Sequence, residues 1–278
     1  MLGTTEYGWI ACKGDTILRK EGSGGKLRLV ESILLAVHTA RELSPTNKHV
    51  AAVMNLHRPE TFSELAKLCY MSITATRRAC ETLKEHGWLI VDDSSYQHRL
   101  IVTWPEYVQV ELARAFEEEY SLSPNRGEFL GKLYLELLIP DRNYVDNARP
   151  PFIINPQTDK PLEYDRLFIK KLVAFEHNGL QHFGPTEMFP DVDQFKDLRT
   201  RDLVKMSLSQ ENGITLVIFT YQDLSLAKMA EKIPPQLSKN PVDTNGLFIK
   251  TLERYARAYR NNVSRVENKN RKQAQQGK

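Results

Sequence analysis

Apolar positions recur at helical spacing from Leu29 onward: LRLVESILLAVHTARELS sets Leu29, Ile33, Val37 and Ala40 near one face. A second apolar segment, HVAAVMNL, follows SPTN, whose Ser, Pro, Thr and Asn suit a turn and an N-cap. The next stretch, TFSELAKLCYMSITATRRACETLKEHGWLIVDDSSYQHRLIVTW, predicts a short helix, a turn, a longer helix, a glycine stop, a strand, a polar turn and a strand. Thr61 or Ser63 caps the first of these helices, which carries Leu65 and Leu68. The second runs from about Ile73 to His86, with Ala79, Cys80 and Leu83 inward and Thr76, Arg77 and Arg78 outward, and Gly87 ends it. WLIVDD and HRLIVTW, joined by SSYQ, are then the wing of a winged helix-turn-helix. In that arrangement Thr76, Arg77, Arg78, His98 and Arg99 are the expected DNA contacts, because a helix presents side chains to a groove and the wing adds backbone contacts. The same pattern also serves helical modules that dock a protein or support a neighbour.

The charged segment PEYVQVELARAFEEEYS predicts a connecting helix, and SPNRG is the turn after it. GEFLGKLYLELLIP is a helix with Phe129, Leu130, Leu133 and Leu137 inward and Glu128 in its first turn. PFIIN, LEYDRLFI and KLVAFEH follow as strands, then a loop, QHFGPTEMFPD, and a long helix, VDQFKDLRTRDLVKMSLSQENG. ITLVIFTY is expected as a buried strand and QDLSLAKMAEKI as a returning helix. The fold class is therefore α+β, with the second half in the order α, β, β, β, α, β, α.

Composition narrows the setting. The 278 residues carry a net charge of +3, which permits a nucleic-acid partner without requiring one. The basic residues concentrate at the C-terminus, from Lys250 through Arg254, Arg257, Arg260, Arg265, Lys269, Arg271 and Lys272 to Lys278. That run reads either as a solvated charged tail or as a phosphate-contacting one. Cys12, Cys69 and Cys80 form no CxxC pair, which argues against a disulfide framework and a cysteine zinc site and fits a reducing cytosol. No signal-peptide layout and no membrane-length apolar run is present, so the expected location is cytoplasmic with no membrane partner. The expected divisions are an N-terminal head (1–25), a DNA-binding region (26–104), a connecting helix (105–122), a catalytic region (123–235) and a C-terminal helix with its basic tail (236–278).

The stretch FEHNGLQHF, directly after an apolar strand, carries the candidate chemistry. Glu176 ends that strand, Asp165 interrupts the one before it, and a turn between adjacent antiparallel strands brings the two carboxylates close. Two anions at short range repel unless a cation sits between them, and such oxygen ligands suit Mg²⁺ or Mn²⁺. A bound ion of that kind polarises a phosphate and lowers the pKa of a bound water. His182 lies just past the strand as a general base or water-orienting group, and Gly179 lets the backbone turn away. Asp202 and Lys205, three apart on the next helix, share a face.

Together Glu128, LEYD, FEHNGLQHF and RDLVK resemble the PD-(D/E)XK nuclease superfamily, and within it the very short patch repair and EDxHD-type branch, over about Ser123 to Lys232. The resemblance implies a restriction-endonuclease-like αβββαβ domain that binds Mg²⁺ (or Mn²⁺) and hydrolyses DNA phosphodiesters. Glu128 matches the family's helix acid, Asp165 its strand aspartate, Glu176 the D/E of its motif, His182 its histidine and Asp202 its acid on the following helix. By this likeness Asp165, Glu176 and the carbonyl of His177 hold the metal, with Glu128 directly or through water. His182 orients or deprotonates the attacking water, Lys205 and Gln181 stabilise the developing phosphorane charge, and Asp202 orients His182 or Lys205. Asn178 stands where the family places its lysine, so Lys205, Gln181 or His182 fills that role or the site is catalytically impaired. The cysteine zinc site of the repair members has no counterpart. The implied activity is a Mg-dependent endodeoxyribonuclease of a mobile-element, restriction or defence system. The alternative is a catalytically impaired DNA-binding regulator, or a structural subunit working with other proteins.

Overall fold

The structure, a computed structural model, describes residues 29–92, 98–156, 158–179 and 192–276. It is an α+β arrangement, helical at both ends around a mixed sheet. The chain opens with α1 (Leu29–Thr39), α2 (Pro45–His57), α3 (Phe62–Cys69) and α4 (Ile73–Glu85). The starts of α2, α3 and α4 are dictated locally: the side chains of Ser44, Thr61 and Ser72 accept from the backbone N–H groups of Asn47, Glu64 and Ala75, satisfying donors that a helix start otherwise leaves open. Gly87, at φ +76, stops α4 in a conformation that costs other residues steric strain.

A two-stranded hairpin follows, β1 (Leu89–Asp92) paired antiparallel with β2 (Arg99–Val102). The expected joining turn SSYQ lies outside the described residues. Next come α5 (Glu106–Leu122) and α6 (Arg126–Leu138). One hydrophobic cluster runs from Leu29 on α1 through Phe116 on α5 and Leu130 on α6 to Ala256 near the C-terminus, so α5 is a core element as well as a connection.

The sheet contains β3 (Tyr144–Ala148), β6 (Tyr164–Phe168), β7 (Val173–Asn178) and β8 (Thr215–Thr220), hydrogen-bonded in that order. β3 and β7 both pair antiparallel with β6, and β7 pairs parallel with β8 after a crossover through α7 (Val192–Glu211). β4 (Ile154–Asn155) and β5 (Lys160–Pro161) form a separate short hairpin. The first strand is therefore YVDNA and not PFIIN. Pro150 and Pro151 lack N–H donors for a ladder, whereas Tyr144 packs on Phe168 and supports the Arg166 guanidinium 3.9 Å above its ring. β8 is mostly half-exposed rather than buried, because among the described residues β7 alone pairs with it.

Alternation along the strands gives the sheet two covered faces. Phe168, Val173, Phe175 and Phe219 pack with Leu130 and Leu133 of α6 in the large cluster. Leu167 and Ala174 face a smaller cluster with Val204 and Leu208 of α7. Gly127 and Gly131, one turn apart on α6, let that helix lie against the sheet: a Cβ at either would come within 2.3 Å of the His177 or Phe219 ring. The chain closes with α8 (Leu226–Lys232) and a long helix, α9 (Leu247–Gln276). Among the described residues no helix is long and apolar enough to cross a membrane.

Candidate functional site

The polar end of the sheet is built by a change in strand phase. Val145 pairs with Leu167 and Ala148 with Tyr164, yet all four belong to the same small cluster, so the two-residue alternation breaks between them. Asn147, at φ +54, makes the break, and the register sets it opposite Asp165. On the other side of Asp165 the β6–β7 ladder ends at Arg166–Phe175, and the Asp165 carboxylate replaces it by accepting the His177 N–H at 2.7 Å. The two strands part here. In a strand the N–H and C=O of one residue project to the same neighbour, so the His177 carbonyl also faces Asp165.

Glu176 is the next residue across from Asp165 in this register, on the face covered by α7. Its Oε1 accepts a hydrogen bond from Lys205 Nζ, which also donates to the Glu163 carbonyl at 2.7 Å. Lys205 is buried and Glu176 nearly so. Glu176 Oε2 is buried with no hydrogen-bond partner among the described residues. At the other edge, Glu128 accepts from Lys132 one turn later on α6, and Lys132 Nζ bonds Asn147 Oδ1 at 2.6 Å. Two lysines and three carboxylates thus gather at one end of the sheet.

The electrostatics record crowding of negative charge. Burial, then the charges of Glu176 and Glu128, push the Asp165 carboxyl up to about 7, against the His177 N–H and Lys132. Burial also raises Glu176, outweighing the lowering by Lys205, and Asp202 adds to the rise. Asp202 is thus within electrostatic reach of Glu176, while Lys205 is committed to Glu176 itself.

An oxygen-seeking divalent cation fits this donor set. Asp165, Glu176 Oε2 and the His177 carbonyl are hard oxygen donors, and the carboxylates of Glu176 and Glu128 both raise the Asp165 carboxyl. Among the described residues no group of three or more His, Cys, Asp and Glu side chains is gathered to hold an ion. The fit is therefore of two carboxylates with backbone and water, a set suited to an ion that keeps several waters. The His177 ring lies on the opposite face, against the position of Gly127 and 5.3 Å from the Phe219 ring. Gln181 and His182 lie outside the described residues. Lys132 and Asn147 were not anticipated. The Glu128–Lys132 spacing of four was a usable signal, whereas a left-handed Asn inside a strand leaves none.

At the helical end, Thr76 corrects the expectation of outward exposure. It is fully buried, its hydroxyl donating to the Ser72 carbonyl at 2.9 Å, because its position turns back under α4 beside Ala79 and Cys80. Arg77 and Arg78 are exposed. The Arg77 guanidinium lies 5.2 Å from the Phe62 ring centre, and the His98 ring packs edge-on to the same Phe62 at 6.4 Å. Arg99 pairs with Glu60 at 3.1 Å. Arg77 and the β2 end of the hairpin therefore converge on one surface around Phe62, with Arg78 exposed at the next position of α4. Cys69 and Cys80 are free and buried, and burial pushes the Cys80 thiol up to about 12. Cys12 lies outside the described residues.

Among known proteins, the uncharacterized protein 033L of Invertebrate iridescent virus 3 is 31% identical over 98 residues, 35% of this chain and 50% of that protein. The chain thus spans about half the length of that relative, whose name states no activity. No family model and no solved structure matches the chain.

Proposed function

We propose that this chain is a metal-dependent DNA endonuclease of the PD-(D/E)XK kind, with a winged helix-turn-helix region that contacts DNA. One observation carries the reading: Asp165 and Glu176 sit side by side where two central strands part, with the ammonium of Lys205 against Glu176. The order helix, three antiparallel strands, crossover helix, parallel strand adds support.

In this reading Asp165, Glu176 and the His177 carbonyl hold Mg²⁺ or Mn²⁺, with Glu128 contributing directly or through water. The ion, when bound, supplies Lewis acidity toward a phosphodiester and a more acidic water. Lys205 fills the role of the lysine that Asn178 replaces: it enters from α7 and brings a cation beside the carboxylates from a different element. There it stabilises charge developing on a phosphorane. Asp202, also near Glu176, orients Lys205 or the histidine that follows β7. His182 and Gln181 keep the roles of water-orienting base and phosphate donor. Arg77, His98 and Arg99 contact DNA from the surface around Phe62, joined by the exposed Arg78 of α4; Thr76 is dropped from that set.

A second reading, a catalytically impaired DNA-binding regulator or structural subunit, is favoured by the same Lys205–Glu176 pair, which partly neutralises a ligand carboxylate without any metal. Incubation with supercoiled plasmid and Mg²⁺ separates the two. The endonuclease nicks or linearises plasmid in a metal-dependent way, and Asp165→Ala and Lys205→Ala each reduce the rate at least about 100-fold. Absence of metal-dependent cleavage by the wild type sinks the enzyme reading.

A further inference from the structure

The last helix segregates its charges. α9 contains two carboxylates, Glu253 and Glu267, and both are bonded to the body of the protein. Glu253 Oε1 accepts from Tyr134 Oη at 2.9 Å and from the Leu226 N–H at 2.6 Å. Glu267 Oε2 accepts from Tyr221 Oη. Arg260 is likewise turned in, donating to the Leu224 carbonyl.

The outward side is different. Arg257, Asn261, Arg265, Asn268 and Lys272 follow at intervals of four, four, three and four residues, and every one is exposed. At about 100° per residue these positions fall within a sector of about 80°, and at 1.5 Å per residue they span about 22 Å. Lys250 and Arg254 extend the same stripe toward the start of the helix, where Arg254 pairs with Glu117 of α5 at 2.9 Å. Arg257, Arg265 and Lys272 have no ion-pair partner among the described residues. Solvated lysines and arginines on a helix are normally interleaved with acids, which lower the self-repulsion. Here the acids are withdrawn and only amide side chains lie between the cations.

We infer that the outer stripe of α9 is a second nucleic-acid contact, which grips the phosphate backbone of a duplex independently of its sequence. This rests only on the DNA-substrate part of the reading above. Arg257, Arg265 and Lys272 stand about 11–12 Å apart along the helix, so each meets a separate, non-adjacent phosphate, and Asn261 and Asn268 supply neutral donors between them. A membrane surface is a poorer fit, because the stripe carries no large apolar side chain to bury in lipid. Contacts of this type release counterions, so their signature is a steep salt dependence.

The test uses the full chain in EDTA, where no cleavage occurs, and a fluorescein-labelled 30-bp duplex titrated by anisotropy between 50 and 200 mM NaCl. The Arg257→Gln/Arg265→Gln/Lys272→Gln variant is expected to bind at least tenfold more weakly at 100 mM. Its log–log salt slope falls by about 3, near one unit for each phosphate that is no longer neutralised. The lysine-retaining variant Arg257→Lys/Arg265→Lys binds as the wild type does. Unchanged affinity and slope in the glutamine variant overturn the inference. So does a weakening confined to phosphatidylserine vesicles or polyglutamate with duplex binding intact. Failure of the nuclease reading is distinguishable: a chain that cuts nothing yet loses duplex affinity in the glutamine variant retains this surface, and a metal-dependent nuclease indifferent to the stripe does not.

Discussion

Lys205 Nζ, from the middle of α7, donates to Glu176 at the end of β7, so the cation nearest that carboxylate comes from another element and not from position 178. The pair is buried, and its two members depend on each other. Removing the ammonium leaves the Glu176 carboxylate desolvated, with neither oxygen bonded by a side chain among the described residues. Lys205→Met is therefore expected to destabilise the fold by about 3 kcal/mol at pH 8, read from urea unfolding. The double variant Lys205→Met/Glu176→Gln recovers most of that stability. A single variant within about 0.5 kcal/mol of wild type contradicts the pairing.

Asp165 makes the fold pH-sensitive in a defined direction. Its folded value, raised to about 7, stands above the ordinary carboxylate value near 3.9, so folding favours the protonated form. The associated stability is fully present below about pH 4 and is lost as pH rises through about 7. Glu176 is shifted the same way. Asp165→Asn keeps an acceptor for the His177 N–H and removes the charge. It should stabilise the protein at pH 8, on the order of 2 kcal/mol, with the gain vanishing near pH 4. Thermal melts at the two pH values check this, and equal effects at both would contradict it.

Divalent ions should act on the same residues. Mg²⁺ or Mn²⁺ at about tenfold excess over its Kd stabilises the wild type by about 1.4 kcal/mol, a rise of a few degrees in Tm. Asp165→Asn and Glu176→Gln each abolish the rise, while Arg77→Ala leaves it intact. An equal shift in all four proteins would place ion binding elsewhere.

The glycines of the region separate by environment. At Gly127 an added Cβ would meet the His177 ring at 2.3 Å and Tyr259 Oη at 2.7 Å, so Gly127→Ala forces α6 away from the sheet and costs about 1–3 kcal/mol. At Gly179 a Cβ meets nothing within 4 Å among the described residues, and the backbone is not left-handed. Gly179→Ala is therefore expected to leave Tm within about 2 °C of wild type, contrary to its anticipated turn role. Differential scanning calorimetry of the two variants tests both expectations.

Much of this was written in local pattern. The helix starts at Ser44, Thr61 and Ser72, the stop at Gly87 and the inward faces of α1 and α6 follow from capping chemistry and apolar spacing, which act within a few residues. Asp165 and Glu176 were legible as a pair because consecutive antiparallel strands impose a register. Other features were decided only by packing across the chain. YVDNA, with two polar residues in five, became the sheet's first strand because Tyr144 and Asp146 embrace the buried Arg166. Thr76 is the exception, since its inward position was legible: at helical spacing it shares the face of Ala79, Cys80 and Leu83. Lys205 met Glu176 because α7 crosses over the sheet, which no spacing between positions 176 and 205 encodes. The helices, most strands and the carboxylate pair were legible in the chain, since those depend on near neighbours. The partners of that pair were decided by the tertiary structure, since distant side chains become neighbours only when helices pack on the sheet.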